Sequence, residues 1–169
     1  MRIFNLISGG ELKMKKILLA VDGSKGAKKA AKEASLFSSS FNDVEVTILT
    51  VLKNLDTNSV YDIPDSMYTS VSTETLQELS GQKNEEYKEI GYKIVDEAAD
   101  FFKKRDVRIK KAVKIGQDPA DVICDFAENN EIDMIVIADK GLGKVKRFLL
   151  GSISDKVIHH AQTSVLVVK

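Results

Sequence analysis

The chain has 169 residues, of which 43% are hydrophobic and 30% charged, and its formal net charge is zero. That length suits one domain with a full core, and the balanced charge supplies no overall pull toward nucleic acid or acidic membrane. A single cysteine, Cys124, excludes an internal disulfide and a cysteine-built metal site; no apolar run reaches the length of a membrane span, and a reducing, cytoplasmic setting fits.

Residues 1–13 precede a natural strand opening, Met14-Lys15-Lys16-Ile17. They read as a terminal extension, poorly ordered where nothing ties it down, so the domain is expected over 14–169. Met1 to Ile7 is too short for the apolar segment of a secretory signal. Ser8-Gly9-Gly10 does not suit a pyrophosphate loop. Such a loop opens a helix, and 13–19 reads as a strand.

Lys16 to Val21 is apolar and of strand length. It stops at Asp22-Gly23-Ser24, a turn joined to a helix N-cap. Ala27, Ala30, Ala31, Ala34 and Phe37 then recur at helical spacing, and their small size allows close packing on a sheet. Val44 to Leu52 is a second strand rich in β-branched residues. Residues 53–72 lack periodicity and read as a long crossing loop. A long helix is expected over 73–104, with Tyr87, Ile90, Ile94, Val95, Ala98, Phe101 and Phe102 on its buried stripe.

Val107 to Ile115 alternates apolar and basic residues, as a strand near a sheet edge does. Gly116-Gln117-Asp118-Pro119 is a turn that starts a helix, with Pro119 at its first position. Val122, Ile123, Phe126 and Ala127 face inward from that helix. Ile132 to Ala138 forms a fourth strand. A short polar stretch with glycines follows, Asp139-Lys140-Gly141-Leu142-Gly143-Lys144. Gly151-Ser152-Ile153-Ser154 opens a last helix carrying Val157 and Ile158, and Val165 to Val168 closes the chain as a fifth strand.

Strands and helices therefore alternate throughout. That order predicts an α/β fold, a three-layer open parallel five-stranded sheet with helices on both faces. The expected strand order is 3-2-1-4-5, with a ligand held where the order reverses, at the carboxyl ends of strands 1 and 4. Asp22 then faces the glycine loop and can accept a hydrogen bond from a ribose hydroxyl. Backbone amides at Gly141 and Gly151-Ser152 can hold phosphates, with the hydroxyls of Ser152 and Ser154 as added donors.

The opening Lys16-Ile17-Leu18-Leu19-Ala20-Val21-Asp22-Gly23-Ser24, the turn at 116–119, and the tail from Leu149-Leu150-Gly151-Ser152 to Val168 resemble the universal stress protein family. The resemblance spans 14–169. It implies a Rossmann-like fold of the adenine nucleotide α-hydrolase type. ATP-binding members share a loop of the form G-x2-G-x9-G-[ST]. Here Gly141, Gly151 and Ser152 match it, and Ala138 stands where the first glycine is expected. The resemblance further implies that Asp22 meets the ribose, that Ala20 and Val21 line the base pocket, and that the backbone of Val51 reads adenine. Lys140 approaches phosphate, and Ile153 and Ser154 lie beneath it at the helix start. The implied ligand is ATP, with Mg²⁺ able to accompany it, or ADP or AMP.

The same resemblance implies a homodimer through strand 164–169, whose uncharged residues Val165 to Val168 make a poor exposed edge. The function so implied is a cytoplasmic, nucleotide-dependent regulatory module acting on an unidentified protein partner. Two alternatives stand beside it. One is a dimeric interaction module of the same fold without nucleotide, motivated by Ala138. The other is a slow ATP hydrolase, for which no general base is placed and no P-loop lysine followed by Ser or Thr is present. His159 and His160 read as surface residues near a helix C-terminus, and Cys124 as a small core residue.

Overall fold

The computed structural model describes residues 7–8, 11–12, 14–53, 87–142 and 150–169. The expected crossing loop after Lys53, the first half of the long helix before 87, and residues 143–149 lie outside them. Of the N-terminal extension, Ile7–Ser8 and Glu11–Leu12 are described, as two short antiparallel strands.

Five parallel strands form the central sheet: β1 (Lys16–Ala20), β2 (Glu45–Lys53), β3 (Arg108–Gly116), β4 (Met134–Ala138) and β5 (Ser164–Val168). Their spatial order is β3-β2-β1-β4-β5, the predicted 3-2-1-4-5. β1 is central, and Ile17, Leu18 and Leu19 are wholly buried. A strand covered on both faces needs such a continuous apolar run. Its start is tied to β4 by Asp133, whose Oδ2 accepts hydrogen bonds from the Lys15 and Lys16 amides, each 2.9 Å.

Two helices cover each face. On one side α1 (Lys25–Ser38) packs its alanines Ala27, Ala30, Ala31 and Ala34 against β1 and β4. Beside it runs α2, over 87–99, which tightens into a 3-10 turn at Asp100–Phe102. On the other side α3 (Pro119–Asn129) and α4 (Ser152–His160) cover Leu18, Ala20, Ile135 and Ile137. Each face has its own apolar cluster. The alternation of side chains along β4 divides Val136 and Ala138 from Ile135 and Ile137.

The stripe expected on α2 is only partly buried. Val95, Ala98 and Phe102 are core residues, whereas Ile90 is 51% and Phe101 38% exposed. Ile90 lies beyond the covered part of the sheet, over the cleft described below. Phe102 follows Val95 and Ala98 at helical spacing and meets the core, whereas Phe101 falls to the side of that stripe.

The two sheet edges differ. β3 carries Lys110 and Arg108 in ion pairs with Glu45 (3.1 Å) and Asp43 (2.9 Å), the charged dressing common on exposed edges. β5 pairs with β4 and offers Val165 to Val168, all half-buried, along its other side.

Candidate functional site

A cleft of about 560 Å³ opens at the carboxyl ends of β1, β2 and β4, within the size range of small-molecule pockets. It exists because the strands part there. Val21 donates its N–H to the Leu49 carbonyl (2.9 Å), and β1 then leaves the sheet, while β2 continues beside β3 as far as Lys53. Peptide groups two residues apart on a strand face the same neighbour. The N–H and C=O of Val51 therefore point, like those of Leu49, into the space β1 has left.

After Val21 the chain turns sharply. Gly23 has φ of +79°, a left-handed conformation that costs glycine little. This turn lets Asp22 Oδ1 accept from the Ser24 amide (3.0 Å) while Ser24 caps α1 by accepting from the Ala27 amide (3.0 Å). Ser24, and not Asp22, is thus the N-cap. The other carboxylate oxygen of Asp22 reaches across the cleft and accepts from the Leu142 amide (2.9 Å). Gly141 permits this contact, because a Cβ there would be driven into Asp22 Oδ2.

The far wall is the start of α4. The Gly151 amide donates to the Asp139 carbonyl (2.7 Å), joining the helix start to the end of β4. No described side chain caps α4, so its first-turn N–H groups and its positive dipole end are open to an anion. Ser152 is exposed at this point, whereas Ser154 is 4% exposed and donates its hydroxyl proton to the Ala138 carbonyl (2.7 Å). This hydrogen bond engages the hydroxyl proton expected as a donor to phosphate. It fastens α4 to β4.

Ala20, Val21, Asp22, Val51, Ala138, Gly141, Gly151, Ser152, Ile153 and Ser154 all line the cleft. Lys140 does not, and its backbone carbonyl is turned toward Gly26 of α1. Ala138 lines the cleft, and its methyl group lies on the α1 side of the sheet.

A profile of the universal stress protein family matches residues 13–169. The chain belongs to the universal stress protein family. A putative universal stress protein of Staphylococcus aureus is 31% identical over 155 residues, 92% of this chain and 84% of the relative. Among solved structures, this universal stress protein is similar to MJ0577, a test case for assigning biochemical function from structure. The TM-score is 0.69 at 28% identity, covering 92% of this chain and 95% of that one. It also shares its fold with a universal stress protein family member from Arabidopsis thaliana with AMP bound, with TM-score 0.56 and 20% identity over 92% and 91% of the two chains.

Three features of this universal stress protein escaped the sequence reading. Pro119 and Ile123 of α3 line the cleft, and only the packing of α3 against β2 and α4 brings them there. Leu142, 75% exposed, closes one rim. Gly26 stands behind the loop, where a side chain would collide with Lys140. Its signal was legible as a glycine in the first turn of a helix, a residue that costs roughly 0.5–1 kcal/mol there relative to alanine.

Asp22 and Lys53 are the charged residues that line the cleft, and further charged groups lie on α3 and α4. Asp118 caps α3 by accepting from the Ala120 amide (2.9 Å) and pairs with Lys156 of α4. The Lys156 hydrogen bond, then that of the Ala120 amide, holds the Asp118 carboxyl below its ordinary range, and the Asp118 hydrogen bond raises Lys156. Cys124 is half-buried, and burial, then the nearby carboxylates led by Asp121, pushes its thiol up. That makes it a poor nucleophile at neutral pH. His159 Nδ1 lies 2.8 Å from the Asp155 carbonyl, and His160 faces Asp121 at 3.6 Å. Among the described residues, no group of three or more His, Cys, Asp or Glu side chains is arranged for a metal, and no helix is long and apolar enough to cross a membrane.

Proposed function

We propose that this protein holds an adenine nucleotide, ATP in its working form, between β1 and β4 and acts as a nucleotide-dependent regulatory module. One observation carries the reading. A carboxylate, an unpaired strand edge and an uncapped helix start converge on one cleft. The Val51 edge offers one donor and one acceptor, the pair that the Watson–Crick edge of adenine complements. The apolar walls from Ala20, Val21 and Ile153 suit a flat base. Asp22 keeps unused lone pairs after its two backbone bonds and can accept from ribose hydroxyls. Phosphates would lie on the Gly141 loop and on the α4 start, with Ser152 as added donor. Mg²⁺ would travel with the phosphates, and ADP or AMP would use the same site with fewer contacts. The AMP bound in the Arabidopsis neighbour supports an adenylate ligand.

The direction of the Ala138 methyl group favours this reading over a nucleotide-free module, since it faces α1 and not the phosphate path. The role proposed is binding, with hydrolysis slow at most. Calorimetric titration of the dialysed protein with ATP, AMP, adenosine and GTP tests it. ATP is expected to bind more tightly than adenosine, to raise the melting temperature, and to weaken as salt screens the phosphates. No heat and no thermal shift with any adenine nucleotide would end the reading.

The half-buried apolar edge of β5 motivates the second part of the proposal, a cytoplasmic homodimer. Antiparallel pairing of two copies near Val167 would satisfy both edges about a two-fold axis. An unidentified protein partner would then read the nucleotide state of the pair.

A further inference from the structure

Gly26 is the second residue of α1 and lies outside the cleft. A Cβ built on it would be driven into the carbonyl oxygen of Lys140 and would stand 3.2 Å from the Cβ of Ala138. Both neighbours belong to the stretch that carries β4 into the glycine loop. Within the same loop, Gly141 makes room for Asp22 Oδ2. The loop and the segment from Asp22 to Gly26 thus meet at two places where a side chain is missing, one at Gly26 on α1 and one at Gly141 in the loop itself. Backbone, not a flexible side-chain end, meets the missing Cβ of Gly26, so little can give way.

We infer that Gly26 is a positioning residue for the loop, and that it acts as a pair with Ala138. The gap at Gly26 lets the end of β4 carry a methyl group, and lets Lys140 lie back against α1, without pushing residues 139–142 into the cleft. Gly26 itself lies outside the cleft and touches no ligand. It acts through the Lys140 carbonyl and, one residue on, through Gly141. The inference rests on the adenine-nucleotide reading for its consequence in binding, but the position of the loop is measurable without ligand.

The test is amide hydrogen exchange of the full chain without nucleotide, followed by ATP titration. The Leu142 amide, held by Asp22 Oδ2, reports the position of the loop. In Gly26→Ala its exchange is expected to rise about tenfold or more, and ATP affinity to fall about tenfold. The control is Ala34→Gly, a change at a buried site two turns along the same helix. It lowers stability while leaving Leu142 exchange at its parent rate once corrected for global opening. Adding Ala138→Gly to Gly26→Ala removes the 3.2 Å methyl contact and is expected to restore part of the lost protection. Should Gly26→Ala not fold, Ala138→Val crowds the same gap from the strand side and is expected to raise Leu142 exchange likewise. Unchanged Leu142 exchange in the crowding variants overturns the positioning role, and purely additive effects overturn the pair. If the parent protein ignores ATP, the nucleotide reading fails, and the exchange measurement still decides for or against Gly26.

Discussion

Asp22 Oδ2 accepts a 2.9 Å hydrogen bond from the backbone N–H of Leu142, a residue 120 positions away. The bond spans the cleft from the end of β1 to the glycine loop after β4. It ties the two strand ends on either side of the point where the sheet order reverses. Removing the carboxylate removes this bond and the one from the Ser24 amide. Asp22→Ala is expected to cost about 1–3 kcal/mol of stability, toward the lower end because the site is half-exposed. It should also weaken ATP by about tenfold or more. Asp22→Asn, which keeps one acceptor oxygen, should fall between. Urea denaturation and calorimetric titration measure the two effects, and an alanine variant with parent affinity would remove Asp22 from the site.

Gly141→Ala probes the same bond from the other side. The added methyl group would be driven into Asp22 Oδ2, so the carboxylate must swing away or the loop must move. Either response breaks the Leu142 bond. The expected loss is about 1–2 kcal/mol, with nucleotide affinity lowered as well. Combined with Asp22→Ala the change should cost little more than either alone, because both remove one contact. A double variant whose losses simply add would show that the two residues do not act together.

The exposed pair of Asp118 and Lys156 ties the start of α3 to α4, and both helices contribute to the cleft. The folded Asp118 carboxyl sits below its ordinary value of 3.8. Its contribution is therefore complete above that value and lost as pH falls through the depressed one. Lys156 is raised above 10.5, so its contribution is complete below that value and lost as pH rises through the higher one. Asp118→Asn should flatten both limbs of a plot of stability against pH, most visibly in acid. Denaturant midpoints between pH 2 and 5 check this, and an unchanged acid limb would show that the pair adds nothing.

A charge on the β5 edge tests the proposed dimer. Val167→Lys places an ammonium group in the half-buried row of Val165 to Val168, where two copies would bring like charges together. Light scattering should show a shift from dimer to monomer in the variant. The fold of each chain is expected to persist, since β5 keeps its full register with β4. A parent protein that is monomeric at every concentration would rule the pairing out.

The order of strands was legible because each element carries a local pattern. The all-apolar run at 17–19 marks a central strand, and the basic residues interspersed with apolar ones over 107–115 mark an edge. The candidate site was legible to the extent that it rests on strand ends and on glycines. Asp22, Gly141 and Gly151 could each be named from their own neighbours in sequence. Their meeting follows from two strands that lie side by side in any sheet of this order.

Sequence by itself thus determined which residues stand at the strand ends and where the last helix starts, since turns, helix starts and periodicity are properties of a few consecutive residues. Only the tertiary structure decided where single groups point. It turned the Ser154 hydroxyl onto the Ala138 carbonyl, directed the Lys140 carbonyl and the Ala138 methyl toward α1, and put Gly26 behind the loop. The physical reason is packing between separate elements, α4 on β4 from 16 residues away and α1 on β4 from more than 100. Whether a carbonyl or a methyl group faces the cleft or the core depends on how closely α1 approaches β4, and no local pattern encodes that distance.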